Sequence, residues 1–249
     1  MAYSKVLYPA PRLVREARLP SGWEARTLTP AGREPVVVLE KKGPPSGPTI
    51  VWFHGNGELV DGLTSLGERF SSKGYGFAMM EYRGYGRSAA LEPSEAGIYD
   101  DADALLAALE HDRAVTDGAH VLVGYSLGSA VAAEMAVRGH GDAVVLISPF
   151  TSMRAMGKRL VPILPIDLLM TERYDTLTKA PHIQQPSLVV HGTADELVPF
   201  AMGQAVAAAI PKVVLLPVEG GHHADMVGAA SEGAFAAIMQ LAERAYRTR

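Results

Sequence analysis

Ser126 stands in the stretch Gly124-Tyr125-Ser126-Leu127-Gly128, directly after the apolar run His120-Val121-Leu122-Val123 and before Ser129-Ala130-Val131-Ala132-Ala133. A serine between two glycines at a strand-to-helix junction has its hydroxyl lifted above the sheet. The sharp turn forces strained backbone angles on the serine and leaves no room for side chains where strand and helix nearly touch. The helix N-terminus that follows favours developing negative charge. Such a hydroxyl is a candidate nucleophile for acyl transfer, provided a base and an orienting acid can reach it.

Both partners occur downstream, in the chain order Ser, acid, His. Asp195 lies in Gly192-Thr193-Ala194-Asp195-Glu196, after the run Leu188-Val189-Val190-His191, with Glu196 as a rival acid. His222 and His223 lie in Glu219-Gly220-Gly221-His222-His223-Ala224-Asp225, after Val213-Val214-Leu215-Leu216, and either could serve as base. An oxyanion hole needs two N–H donors. Leu127, directly after the serine, offers one, and Asn56 in the loop His54-Gly55-Asn56-Gly57 offers the other.

Plainer roles exist for each residue. Ser126 and Asp195 could be helix caps. His222, His223 and Asp225 could suggest a metal, but adjacent histidines point in different directions and no further ligand cluster accompanies them, so no metal is expected. A dinucleotide loop at Gly55-x-Gly57 fails because Val60 replaces the third glycine. His54 and His191 are expected to shape the pocket, and Arg83 and Arg87 to form ion pairs. His111, His120, His140 and His182 are expected at the surface or in loops.

Delivering these loops to one edge requires an open, mainly parallel sheet, where ligands gather at the strand C-termini. Short apolar runs alternate with helical patterns in the required way. Strands are predicted at 36–39, 49–53, 76–81, 120–123, 143–147, 187–191 and 213–216. Those after the first two are wholly apolar, as expected where helices cover both faces. Helices are predicted at 63–72, 95–111, 127–138, 200–209 and 228–247, and Lys41 to Pro48 reads as a hairpin connection. Residues 150–182 break the alternation. Pro162 and Pro165 forbid one continuous helix there, so two short helices are predicted as a cap insertion at 150–182 within a single domain over residues 1–249.

The 249 residues carry 23 Lys plus Arg against 27 Asp plus Glu, a net charge of −4 that offers no footprint for nucleic acid. There is no cysteine, which excludes disulfides, thiolate metal sites and cysteine nucleophiles. The first residues hold no signal-like apolar run and nothing approaches the roughly 18 apolar residues of a membrane helix. A cytoplasmic location is the expectation.

Phe53-His54-Gly55-Asn56-Gly57, Tyr82-Arg83-Gly84-Tyr85-Gly86-Arg87-Ser88, Gly124-Tyr125-Ser126-Leu127-Gly128, His191-Gly192-Thr193-Ala194-Asp195 and Gly221-His222-His223-Ala224-Asp225 together resemble the α/β-hydrolase superfamily, in particular its compact, short-capped serine hydrolases. Ser148-Pro149-Phe150-Thr151-Ser152-Met153 is similar to the same group, so the resemblance runs from about Thr49 to the end. It implies an α/β-hydrolase fold, a mostly parallel central sheet flanked by helices with a short helical cap. It implies Ser126 as nucleophile, Asp195 as acid, Asn56 and Leu127 as oxyanion donors, and His223 as base, two residues before Asp225. Ala224 and Glu81 depart from the pattern, which more often has Asn and Asp there, and Glu81 is expected to be structural.

The implied activity is cofactor-free hydrolysis of a small-molecule carboxylic ester or thioester through an acyl-enzyme. Amide hydrolysis by the same groups and a hydrolase-like binding protein with little turnover are the alternatives. Some cap Met and Leu side chains are expected to line an acyl pocket, and the cap around Ile163 to Met170 could also touch membranes.

Overall fold

The computed structural model describes residues 7–11, 18–30, 34–45, 47–116, 118–226 and 232–248. Among the described residues eight strands form one sheet: β1 (Glu24–Leu28), β2 (Val36–Lys41), β3 (Thr49–Phe53), β4 (Gly76–Met80), β5 (His120–Tyr125), β6 (Ala143–Ile147), β7 (Ser187–Gly192) and β8 (Val213–Val218). Their spatial order is β1-β2-β4-β3-β5-β6-β7-β8. The β1/β2 and β2/β4 pairings are antiparallel and all the others parallel.

Alternation along the central strands divides the core into two layers. Val51, Phe53, Leu122, Val144, Leu146 and Val189 point to one face, Ile50, Trp52, Val121, Val123, Val145 and Val190 to the other. The first face packs against α2 (Glu95–Thr116), α3 (Leu127–Val137) and α7 (Phe200–Ala209). The second packs against α1 (Thr64–Ser71) and α8 (Glu232–Arg247). A strand covered on both faces has no polar side to display, hence its unbroken apolar sequence.

The fold departs from the sequence expectations in four places. Strand β1 has no apolar run to announce it, and its residues are largely exposed. Lys41 to Pro48 is not a hairpin, because β2 pairs with β1 and β4 whereas β3 lies between β4 and β5. That connection skips a strand, passing Gly43 against the backbone of Gly76. Strand β8 is apolar but half exposed, with Val214 at the surface, because it is the sheet edge; Pro217 is tolerated there for the same reason. Finally, 150–182 contains three short helices, α4 (Met153–Leu160), α5 (Ile166–Leu169) and α6 (Thr176–Lys179), where two were predicted. The predicted start of the last helix at Gly228 lies outside the described residues.

In-register parallel pairing brings the ends of β3, β5, β6 and β7 level, with Phe53 beside Gly124, Gly124 beside Leu146 and Leu146 beside Val189. The strand ends therefore act as one platform. Its tightest point is the β5–α3 crossing: a Cβ on Gly124 would stand 2.1 Å from the Gly128 carbonyl oxygen, and one on Gly128 1.9 Å from that of Phe53. Both obstacles are backbone and cannot turn aside. Gly128→Ala should therefore lower stability by at least ~2 kcal/mol. Gly62→Ala, where nothing lies within 4 Å, should stay within about 0.5 kcal/mol of the parent. Urea midpoints read the difference, and equal midpoints would contradict the close approach.

Candidate active site

Ser126 occupies the turn between β5 and α3 with φ 52° and ψ −112°, a left-handed conformation that a side chain rarely adopts. Its N–H donates to the Ile147 carbonyl at 2.9 Å, and its carbonyl accepts from Ser129 Oγ at 2.6 Å. Both bonds tie the strained residue to regular elements. The adjacent Leu127 opens α3, and the first N–H groups of a helix have no acceptor within it.

His223 and Asp195 arrive from the loops after β8 and β7. His223 Nε2 is 3.2 Å from Ser126 Oγ, and its Nδ1 is 2.8 Å from Asp195 Oδ2. All three residues are buried. Tyr125 donates its hydroxyl to the His223 carbonyl at 3.1 Å, and its ring lies against the imidazole. Asp195 Oδ1 accepts the Leu197 and Val198 N–H groups at 3.0 and 2.7 Å. His191 Nε2 lies 2.9 Å from the Val198 carbonyl, which can only accept, so that nitrogen carries the proton; it is also 3.4 Å from Asp195 Oδ2. Burial alone would raise the Asp195 carboxyl, but His191, His223 and the Val198 N–H outweigh it and hold it well below the usual carboxylate range.

His222, the other sequence candidate, turns outward. Its Nδ1 meets Glu196 at 3.1 Å and its N–H donates to Asp225. The rival acid Glu196 is thus engaged with the rival histidine at the surface.

The loop after β3 faces the serine. Asn56 is locked by its own amide, whose Nδ2 donates to the Leu7 carbonyl at 2.9 Å while Oδ1 accepts the Tyr85 hydroxyl. Glu58 Oε2 accepts the Gly55 N–H at 2.6 Å. Burial pushes the Glu58 carboxyl upward, against the pull of that N–H and of His223. A cavity of about 350 Å³ joins these groups, with Asn56, Glu58, Tyr125, Ser126, His223 and Leu197 in its wall. The cap methionines and leucines do not line it, contrary to the sequence expectation, because Met156, Ile166 and Met170 pack into the core.

Glu58 and Tyr125 were not singled out from the sequence. Their only signals are adjacency to Gly57 and to Ser126. Arg83 and Arg87 form forked ion pairs with Asp101 and Asp61. His120, expected at the surface, is buried in β5, and His140 is partly buried between Glu110 and Asp103.

Beneath the Asn56 loop, His54 and Glu81 are fully buried and 3.6 Å apart. His54 stacks on Tyr82, and its Nδ1 donates to the Gly55 carbonyl at 2.9 Å. Burial depresses His54 to about 4 despite that carbonyl. Burial likewise raises Glu81 to about 7, against the N–H groups of Arg87 and Val60.

Comparison with known proteins adds to this geometry. A family model described as serine aminopeptidase, S33, matches residues 44–174. An uncharacterized protein of Mycobacterium tuberculosis is 31% identical over 212 residues, 80% of this chain and 75% of its own. Human alpha/beta hydrolase domain-containing protein 17C is 31% identical over 188 residues, 74% of this chain; the match spans only 55% of the human protein. Among solved structures, a Pyrococcus furiosus esterase superposes with a TM-score of 0.72 at 16% identity, covering 94% of this chain and 98% of its own. The 2,6-dihydroxy-pseudo-oxynicotine hydrolase gives 0.72 at 17%, covering 88% and 67%. At such identities these two likenesses speak for the fold.

The buried Glu81 makes a pH prediction. A carboxyl raised from 4.5 to about 7 binds more protons folded than unfolded, so its contribution falls as pH rises through that window. His54, depressed from 6.5 to about 4, contributes in the opposite sense, gaining as pH rises. Glu81→Gln removes the first effect alone. Relative to the parent, the variant should be more stable above pH 7 than at pH 4.5. A variant-minus-parent difference in urea midpoint that is flat between the two would contradict the assignment.

Proposed function

The chain belongs to the α/β-hydrolase superfamily, and from that premise we propose that it is a serine hydrolase cleaving carboxylic esters or thioesters. The observation that carries the reading is the buried hydrogen-bonded series Ser126–His223–Asp195. His223 Nε2 takes the proton as Ser126 Oγ attacks the acyl carbon. Asp195 keeps the other proton on Nδ1 and stabilises the imidazolium. The N–H groups of Leu127 and Asn56 hold the oxyanion. When the tetrahedral intermediate collapses, His223 returns the proton to the departing alcohol or thiol. Water then gives its proton to His223 and attacks the acyl-enzyme, releasing the acid and restoring Ser126.

None of these steps calls for a cofactor or metal. The partner is a small ester or acyl substrate. We take residues 150–182 as a cap on a single domain and propose a cytoplasmic location, which a cysteine-free chain favours. Amide hydrolysis is the second reading, favoured by the serine aminopeptidase description of the matching family model.

Hydrolysis of p-nitrophenyl esters from acetate to palmitate tests the reading. Ser126→Ala and His223→Ala should each lose on the order of 10⁴-fold in turnover, whereas His222→Ala should keep most of it. Turnover that survives Ser126→Ala, or that depends on His222 and not His223, would overturn the assignment. Faster cleavage of aminoacyl anilides than of any ester would favour the second reading.

A further inference from the structure

The segment between β6 and β7 carries an apolar surface that the chemistry above leaves unused. Of the eleven exposed large apolar side chains among the described residues, six fall between positions 160 and 169: Leu160, Val161, Ile163, Leu164, Leu168 and Leu169. Ile163 is 95% exposed and Leu168 87%. Single exposed apolar residues need no explanation, but a contiguous group marks a surface that meets something else.

The inner side of the same segment is anchored. Met156, Ile166 and Met170 are buried in the core cluster. Gly157 is packed so closely that a Cβ there would stand 2.9 Å from Met170 Cε. Ser152 caps α4 through the Ala155 N–H, and Arg154 donates to the Met170 carbonyl. Leu160 to Pro165 therefore protrude from a seated helix pair, with Pro162 and Pro165 limiting how far the tip can rearrange.

Charge identifies the occupant. Residues 150–182 hold five basic side chains, Arg154, Lys158, Arg159, Arg173 and Lys179, against three acidic ones, within a chain of net charge −4. Lys179 is taken up by Glu134 and exposed Asp167 by Lys158, both at 2.8 Å. Glu172 turns inward, where its Oε2 accepts from the Tyr8 hydroxyl and the Glu95 N–H, and Asp175 caps α6; Arg159 and Arg173 are left as the outward charges beside the apolar tip. An apolar projection with basic shoulders suits the boundary between anionic headgroups and acyl chains. A second copy in a two-fold contact would instead set one net positive patch against another.

We propose that residues 158–173 form a docking surface for an anionic lipid bilayer, with the aliphatic tip entering the headgroup–acyl boundary and Arg159 and Arg173 meeting lipid phosphates. The segment leaves the sheet at the end of β6, the strand paired with β5, at whose end Ser126 stands. Docking thus carries the Ser126 edge towards the bilayer and favours esters or thioesters borne by the membrane. That consequence for the substrate rests on Ser126 being the nucleophile, whereas the docking itself does not.

Co-sedimentation of the full chain with vesicles of phosphatidylcholine, alone or mixed with phosphatidylglycerol, tests the proposal. The parent should associate with the mixed vesicles, less with phosphatidylcholine alone, and less again at raised salt. Ile163→Ser combined with Leu168→Ser should weaken association at least ~10-fold, and Arg159→Gln about fivefold. The double variant should hydrolyse soluble p-nitrophenyl acetate at the parental rate, showing that it is folded. Ser126→Ala should sediment like the parent, so a failed hydrolase reading would appear in turnover and not in sedimentation. No association with mixed vesicles, or undiminished association of the double variant, would overturn the proposal. So would a dimer in vesicle-free solution that the double variant dissociates, since a second copy would then be the occupant.

Discussion

Strand β5 and helix α3 approach so closely that carbonyl oxygens occupy the space where Cβ atoms of Gly124 and Gly128 would be. The residue at the turn between them has no relaxed conformation available, and Ser126 takes φ 52°. Strain of this kind persists only when the surroundings over-determine it. Here the Ile147 carbonyl holds the Ser126 N–H and Ser129 holds its carbonyl, while β3 and β6 flank the strand that leads into the turn. The hydroxyl is thereby fixed at a strand end before any ligand arrives.

Everything else in the site is placed relative to that point. Level parallel strands bring the loops after β3, β7 and β8 to the same edge, and each loop is braced by its own polar contacts. Asp195 is held by two backbone N–H groups and two imidazoles, leaving its negative charge stabilised in a buried setting. Asn56 is held through Leu7 and Tyr85, and Gly55 through Glu58. The fully buried His54 and Glu81 lie under that loop, kept neutral over part of the pH range by their burial.

What the sequence made legible follows from how local each constraint is. The Gly124–Gly128 elbow, the apolar strands and the loops holding Asp195 and His223 are set by nearest neighbours, and they stand out in a single chain. The order of the strands is not local: whether Lys41 to Pro48 closes a hairpin or skips β4 depends on a partner thirty-odd residues away. Strand β1 is equally hidden because it is an exposed edge whose pairing with β2 replaces hydrophobic patterning. His120 misled because a polar residue at a strand start reads as surface, although its strand is central. Glu58 is not legible in the sequence because its contact with the Gly55 N–H and its place in the cavity wall are not revealed by one residue's type. Residue types leave His222 and His223 open and the resemblance favours His223; in the structure the adjacent residues diverge and only His223 faces the serine.

We propose that Ser126 is an activated nucleophile because His223 and Asp195 are aligned behind it. A fluorophosphonate, which traps an activated serine covalently, tests this directly when the labelled protein is digested and the modified peptide sequenced by mass spectrometry. One phosphonyl group on Ser126 in the parent, and none in His223→Ala, is the predicted result. Labelling on another residue, or no labelling of a folded parent, would contradict that role for Ser126.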